Sequence, residues 1–347
     1  MRSLAGSEER YARAAARQLA GRDIERCDAL LRSGNNRIYH VRTANAQYAL
    51  KVYAHGPTGL ARLDREYEAL RFLDGTGAAG YVARPIAVDR AGGFALYEWI
   101  AGTPLAAYGE DDVDAALDFL RRLHGSRLDH GALRLPEAME ACVSGAALLR
   151  HVCGRIERLR EATAAEPGAA TFVVEQLAPA FASLEDACRR AARADGIALE
   201  AELAIESRTL SPSDFSFHNA LRRTDGSLAF LDFEYFGWDD PVKLVADFLW
   251  HPAMALSADQ AARFTRGAQA LYGAQDAAYA SRLRAFFPLF GLKWCTIVLN
   301  EFLSDDWNRR QFAGQQRKRE RVKAEQLRKS RGLCDEVLAR TREVVLW

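Results

Sequence analysis

The sequence predicts an α+β protein in which a small antiparallel β-rich lobe carrying one helix precedes a large, mainly α-helical lobe. Three observations carry this expectation. Short alternating apolar runs fill residues 28–55 and 83–99, with one helical stretch at 60–74 between them. The turn Ala101-Gly102-Thr103-Pro104 then marks a boundary, dividing the chain into 1–100 and 101–347. Beyond it helical spacing dominates, except at 208–235, where a loop leads into a hairpin.

Taken in order, residues 7–20 read as a short Ala-rich amphipathic helix. Strand-like runs follow at 29–31, 37–42 and 47–53, the last two separated by the polar turn Thr43-Ala44-Asn45-Ala46. In the 60–74 helix, Leu63, Tyr67, Leu70 and Leu73 share one face. Strands at 83–88 and 94–99 are joined by Asp89-Arg90-Ala91-Gly92-Gly93. In the second lobe helices are expected at 111–124, 137–163, 171–194, 241–250, 258–272, 276–303 and 312–345. Asp225-Gly226 between 219–222 and 227–231 is a strong hairpin signal.

Composition excludes several classes of protein. Of 347 residues, 49% are hydrophobic and 27% charged, the mixture of a globular chain with a real core. A net charge of +1 demands neither a nucleic-acid nor a membrane partner. The six cysteines form no C-x-x-C pair and no metal-ligand spacing with histidine, so they read as thiols of a reducing compartment. Arg2, Glu8, Glu9, Arg10, Arg13 and Arg17 interrupt any apolar signal segment, and no run long enough to span a membrane occurs. The expected location is the cytoplasm.

Chemistry concentrates around Ser213-Asp214-Phe215-Ser216-Phe217-His218-Asn219 and, after the hairpin, Asp232-Phe233-Glu234. Phosphoryl transfer from a nucleotide needs a carboxylate to receive the attacking hydroxyl and hard oxygen ligands for magnesium. Asp214 suits the first task, and Asn219 and Asp232 suit the second, because the hairpin returns Asp232 beside Asn219. Upstream, Ser33-Gly34-Asn35-Asn36 forms a small-residue turn between candidate strands, able to lay backbone N–H groups over phosphates. Read alone it is equally a hairpin turn. Lys51 is flanked by apolar residues on a strand, and burying an unpaired ammonium is costly. It can reach nucleotide phosphates, and Glu66 on the next helix can pair with it. In isolation, Lys51 is also an edge-strand lysine and Glu66 a solvated helix charge.

In this order the motifs resemble the aminoglycoside phosphotransferase and choline kinase-like family, relatives of protein kinases. The resemblance spans about residues 25–260. Its sharpest points are 33–41, Leu50-Lys51-Val52, the Glu66 helix, 96–102, Leu120-Arg121-Arg122-Leu123-His124 and 213–241. It implies the two-lobed protein-kinase-like fold, with ATP between the lobes. Lys51 would contact the α/β-phosphates, oriented by Glu66. Tyr97, Glu98, Trp99 and Ile100 would belong to the hinge that receives the adenine on its backbone. Asp214 would be the catalytic base, and Asn219 and Asp232 the Mg2+ ligands.

The chain departs from the family where His-Gly-Asp is usual: it has Pro212-Ser213-Asp214, and Ser216 replaces a frequent second His. Asp240 before Pro241 reads as a helix N-cap. Asp247 would brace the catalytic loop, although it lies further from the Pro than is usual. Residues 309–331 are markedly basic, either a solvated helix face or a surface for an anionic substrate or partner. Against that, Glu234, Asp239, Glu301, Asp305 and Asp306 are available to an amine, with Asn300 and Glu301 as possible substrate contacts. The expected function is an ATP-dependent phosphotransferase, a kinase acting on a hydroxyl of a sugar, aminocyclitol or amino alcohol. The rival from another class is a catalytically silent nucleotide-binding scaffold that docks a partner through its basic C-terminal helix. A protein-side-chain kinase fits less well, since no long Ser/Thr-rich loop follows Asp232.

Overall fold

The computed structural model describes residues 2–30 and 35–342. Helix α1 (Arg2–Ala20) leads into strands β1 (Arg26–Leu30), β2 (Arg37–Arg42) and β3 (Gln47–Val52). Helix α2 (Pro57–Leu73) and strands β4 (Pro85–Asp89) and β5 (Phe94–Glu98) complete this lobe. The strands form one antiparallel sheet in the order β1-β2-β3-β5-β4. Because side chains alternate across a strand, its two faces serve different cores. Leu50 and Leu96 pack with Ala12 and Ala16 of α1. Ala95 and Tyr97 join the main core with Leu63 and Leu70 of α2. Lys51, beside Leu50 in β3, therefore turns away from α1 and towards α2.

Beyond this sheet come β6 (Gly102–Pro104), α3 (Glu110–Ser126), α4 (Gly145–Thr163), α5 (Pro167–Phe172) and α6 (Ala178–Ala194). Two small ribbons then frame the loops of interest. Strand β7 (Thr209–Ser211) pairs with β10 (Gly237–Asp239), while β8 (Ala220–Arg223) pairs with both β6 and β9 (Leu228–Phe230). Asp214 thus lies on the β7–β8 connection and Asp232 on the β9–β10 connection. Gly226 turns the β8–β9 hairpin at φ +86°, a conformation that favours glycine. Helices α7 (Pro241–Trp250), α8 (Ala258–Tyr272), α9 (Tyr279–Val298), α10 (Ser304–Phe312) and α11 (Arg319–Arg342) close the fold. Among the described residues no single helix is long and apolar enough to cross a membrane.

The order of elements up to β5 agrees with the sequence expectation, but the expected turn at 101–104 is strand β6, held by pairing with β8, the β7/β10 ribbon was not expected, and several helices differ in extent. The helix expected at 137–163 begins at Gly145, where Ser144 caps it by accepting from Ala147 N–H at 3.1 Å. Residues 137–143 instead run beside β10, with Ala138 N–H bonded to Trp238 O at 2.9 Å. A Cβ on Gly237 would meet Pro136 O at 2.4 Å, so this close approach needs glycine. The 171–194 segment is interrupted by a π-turn at Val173–Leu177. The helix expected at 312–345 begins only at Arg319, and Ser304–Phe312, for which no helix was expected, forms α10, which ends just before Gly314 takes φ +101°. The last residues of that expected helix, 343–345, lie outside the described residues.

Both functional loops are anchored in one aromatic core. Phe215, the residue after Asp214, lies 5.3 Å from Phe248 and 5.7 Å from Phe119 between ring centroids. Phe233, the residue after Asp232, meets Phe119 at 6.3 Å. Each buried ring contributes about 1.5–3 kcal/mol of hydrophobic stabilisation, which pins the adjacent aspartates from beneath.

Candidate active site

Lys51 is 6% exposed. Its Nζ lies 2.6 Å from Glu66 Oε2, 2.6 Å from Asp232 Oδ1 and 3.8 Å from Glu234 Oε2. Glu66 also accepts from Tyr53 Oη–H at 2.6 Å, and Tyr53 meets Tyr97 Oη at 2.9 Å. Glu234 is fully buried, accepting from Asn35 Nδ2 at 2.7 Å and from Asn36 Nδ2. One ammonium therefore faces three carboxylates. Desolvation pushes the Asp232 carboxyl up, and the Glu234 and Glu66 charges add to that push against the pull of Lys51. Carboxylate oxygens of Glu66, Asp232 and Glu234 all lie within 4.8 Å of one another. Such an excess of hard oxygen donors fits a divalent cation of the Mg2+ type.

Asp214 stands on the β7–β8 connection, which is tied to the Asp232 side where Asn219 O accepts from Leu231 N–H at 2.8 Å. Asn219 donates Nδ2–H to the Asp214 carbonyl at 3.0 Å and to Oδ2 at 3.2 Å, leaving its own Oδ1 as an acceptor. His251 Nε2 lies 3.2 Å from Asp214 Oδ1. Since His251 Nδ1 accepts from Ala253 N–H, Nε2 carries the proton and donates it to the carboxylate. Desolvation raises the Asp214 carboxyl, but the bonds from His251 and Asn219 outweigh it and hold the group below the ordinary carboxylate range. Asp214 is thus an ionised acceptor at neutral pH. Ser213 and Asp232 both hold positive φ, +69° and +67°, a conformation that costs non-glycine residues about 1–3 kcal/mol. The buried Phe215 and Phe233 keep these turns in place.

A second buried cluster supports the Asp214 loop. Lys243 Nζ meets Asp239 Oδ2 at 2.7 Å, Ser213 Oγ at 2.9 Å and Asp247 Oδ2 at 3.3 Å. Lys293 approaches Asp247 at 3.4 Å. Asp247 therefore reaches the loop only through Lys243. Asp240 caps α7 by accepting from Val242 N–H at 2.8 Å, as its position before Pro241 predicts, and is gripped by Arg282 at 2.9 Å.

The structure places Asp214 and Asn219 on the β7–β8 connection and brings Asp232, from the β9–β10 connection, to Lys51 of the central strand β3 and Glu66 of α2. Ser33 and Gly34 lie outside the described residues; Asn35 and Asn36 point side chains at Glu234. Of the hinge residues, Tyr97 and Ile100 turn their side chains into the core, so only their backbone is available. Glu98 N–H is already engaged by Arg84 O at 2.8 Å. Trp99 lies beyond the β5 ladder, its ring stacked on His40 at 3.7 Å and 12°. Two acidic residues offered to an amine are corrected: Glu234 and Asp239 have no exposed surface and are consumed by Asn35, Asn36 and Lys243. Glu301 is buried and paired with Arg310. Asn300 holds Arg155 at 2.6 Å on a cavity wall. Sequence reading missed His251, whose aim at Asp214 depends on the α7 terminus, and the inward turn of Glu234. The pairing of two carboxylates in Asp232-Phe233-Glu234 with a single strand lysine was the available signal for the latter.

Residues 29–283 match the family model of APH, the phosphotransferase enzyme family. No curated protein gives a significant match. Among solved structures, a choline kinase from Streptococcus pneumoniae is similar with a TM-score of 0.55 at 13% identity, covering 95% of this chain and 99% of that one. An ethanolamine kinase from Plasmodium vivax gives 0.55 at 14% identity, over 92% and 87%. The streptomycin–ATP ternary complex of the aminoglycoside phosphotransferase APH(2")-IIa gives 0.57 at 15% identity, over 83% and 89%. At these identities the likeness establishes the two-lobed kinase-like fold.

Proposed function

The chain belongs to the phosphotransferase enzyme family, and on that premise we propose that it transfers the γ-phosphoryl group of ATP to a hydroxyl of a small molecule. One observation carries this reading. An ionised Asp214, oriented by Asn219 and His251, lies on a loop joined through Asn219 O and Leu231 N–H (2.8 Å) to Asp232, whose lysine partner is bound by more carboxylates than it can neutralise. ATP would lie between residues 1–100 and 101–347, with its base on the backbone beyond Glu98. Lys51, fixed by Glu66, would bind the α/β-phosphates. Asp232 and the Oδ1 of Asn219 would hold Mg2+, which neutralises phosphate charge when bound. Asp214 would accept the proton of the attacking hydroxyl and orient it in line. Catalysis of this kind is positioning and charge neutralisation.

Solved structures of the same fold include a choline kinase, an ethanolamine kinase and a phosphotransferase complexed with streptomycin and ATP. These names support a small acceptor such as an amino alcohol, aminocyclitol or sugar over a protein side chain. The silent-scaffold alternative has less support: Asp214 keeps both its orienting partners and its charge. The test is ADP release with Mg·ATP against sugars, sugar phosphates, aminoglycosides and amino alcohols, beside Asp214→Ala. Turnover stimulated by one class and lost in the variant is the expected result. Equal ADP release by wild type and Asp214→Ala would remove Asp214 from the mechanism and leave the scaffold.

A further inference from the structure

Helix α2 carries a second polar residue one turn before Glu66. Positions 62 and 66 share a helix face, so while Glu66 reaches Lys51, Arg62 points along the same side of α2. Arg62 is 4% exposed, and its guanidinium lies 5.1 Å from the Tyr235 ring centroid. Among the described residues its Nε has no hydrogen-bond partner, and no carboxylate forms an ion pair with it. A buried guanidinium without a counter-charge is costly, and such groups require an explanation.

The explanation lies in the space it faces. Arg62 and Tyr235 line a cavity of about 830 Å³ that also has Met139, Asn300 and Arg309 on its wall. The cavity adjoins the catalytic loop: Met139 O accepts from Ser213 Oγ at 3.4 Å, one residue before Asp214. Tyr235 follows Asp232 by three residues and receives Asn35 Nδ2 at 3.2 Å. Arg309 donates to Asn35 Oδ1 at 3.2 Å and pairs with Asp306. Burial, and then the neighbouring Arg62 charge, pull Arg309 below the ordinary arginine range, so the two guanidiniums feel one another. Of the wall's carboxylates, Asp306 pairs with Arg309 and Glu140 is held by Arg155 at 3.1 Å, while Glu161 and Asp305 are exposed, and among the described residues none pairs with Arg62. Arg158 and Arg319 add further positive charge to the rim.

We propose that this cavity receives the acceptor and that the acceptor carries an oxyanion, a carboxylate or phosphate ester, bound by Arg62 with Arg309 beside it. The inference rests on the phosphotransferase reading for the word acceptor, and narrows it: polycationic aminoglycosides and choline are repelled by this wall. The planar guanidinium fork suits either oxyanion.

The test is isothermal titration of the full chain, free and saturated with Mg·ADP, with four probes: glycerol 3-phosphate, glycolate, glycerol and choline. We expect at least one anion to bind tenfold or more tightly than glycerol and choline, with Mg·ADP present. Arg62→Gln should weaken that binding about 10–100-fold, the worth of a charge-assisted bidentate contact, and Arg62→Lys should restore part of it. The ratio of glycerol 3-phosphate to glycolate affinity separates a phosphate from a carboxylate site. Arg309→Gln, with a smaller loss, covers the case in which Arg62→Gln does not fold. Choline or glycerol binding as tightly as the anions, anion affinity unchanged in both variants, or anion binding abolished by Mg·ADP would each overturn the inference. Failure of Mg·ADP itself to bind counts against the phosphotransferase reading alone, because the anion titration is also run on the free chain.

Discussion

Two buried lysines, Lys51 and Lys243, sit at the centres of two ionic clusters built from the same chemistry, yet the clusters differ in balance. Lys243 meets Asp239 and Asp247, the latter shared with Lys293, two ammoniums against two carboxylates, and has no exposed surface. Lys51 stands alone against Glu66, Asp232 and Glu234, and Asp232 keeps 31% of its side chain exposed. The first cluster is closed and braces Ser213. The second is over-supplied with negative charge and partly exposed at Asp232. Charge balance, rather than burial or motif, distinguishes a structural ion network from one prepared for a cationic or phosphate-bearing ligand.

Each of the following experiments breaks or sharpens that contrast. The largest effect is expected from Asp214→Ala: turnover falls about 10²–10⁴-fold, the range for a positioned base, while the unfolding midpoint in urea barely moves. A large loss of stability in this variant would make Asp214 part of the brace. Next comes Lys243→Met, which strands buried carboxylates and should cost about 3–5 kcal/mol by urea unfolding, with no recovery on adding Mg2+. Lys51→Met should lose turnover but less stability, because Asp232 is partly exposed and can hold a proton. Its melting temperature should rise more with Mg2+ than that of wild type. Equal Mg2+ responses in the two lysine variants would abolish the distinction.

The smallest effect is on the pH dependence of stability. Burial holds His124 and His151 down to about 4 in the folded protein, against an ordinary 6.5. Between those values the unfolded chain binds protons that the folded one does not, so stability is full above about pH 6.5 and declines as pH falls to about 4. His124, bonded to Thr209 at 3.0 Å, can be replaced by Gln. Urea titrations at pH 7.5 and 5 should show a reduced acid loss in His124→Gln. An unchanged loss would mean that His124 is not the group responsible.

Much of this site was legible because its spacing is local. Asp214 and Asn219 are one loop, Asp232 ends one hairpin, and Lys51 and Glu66 are a strand and the helix after it. What the sequence concealed joins distant segments. Asn35 reaches Glu234 across 199 positions, and His251 reaches Asp214 across 37. Neither distance leaves a periodic trace. Arg62 left no signal in the sequence, since its burial depends on Tyr235 and the cavity opposite. The basic stretch at 309–331 divides in the structure: Arg309 lines the cavity, while the exposed Arg317 pairs with Glu325. Helix limits failed where tertiary pairing overrode composition, as at 137–143 beside β10, and at 312–318, where the chain turns through Gly314 at φ +101° before α11 begins.

The most direct measurement is isothermal titration of a non-hydrolysable ATP analogue into wild type, Asp232→Ala and Asp214→Ala, each with and without Mg2+. Binding by wild type and Asp214→Ala that depends on Mg2+, and is lost in Asp232→Ala, is the expected result. Binding indifferent to Mg2+, or retained in full by Asp232→Ala, would contradict the assignment of the Lys51–Asp232 cluster as the nucleotide and metal site.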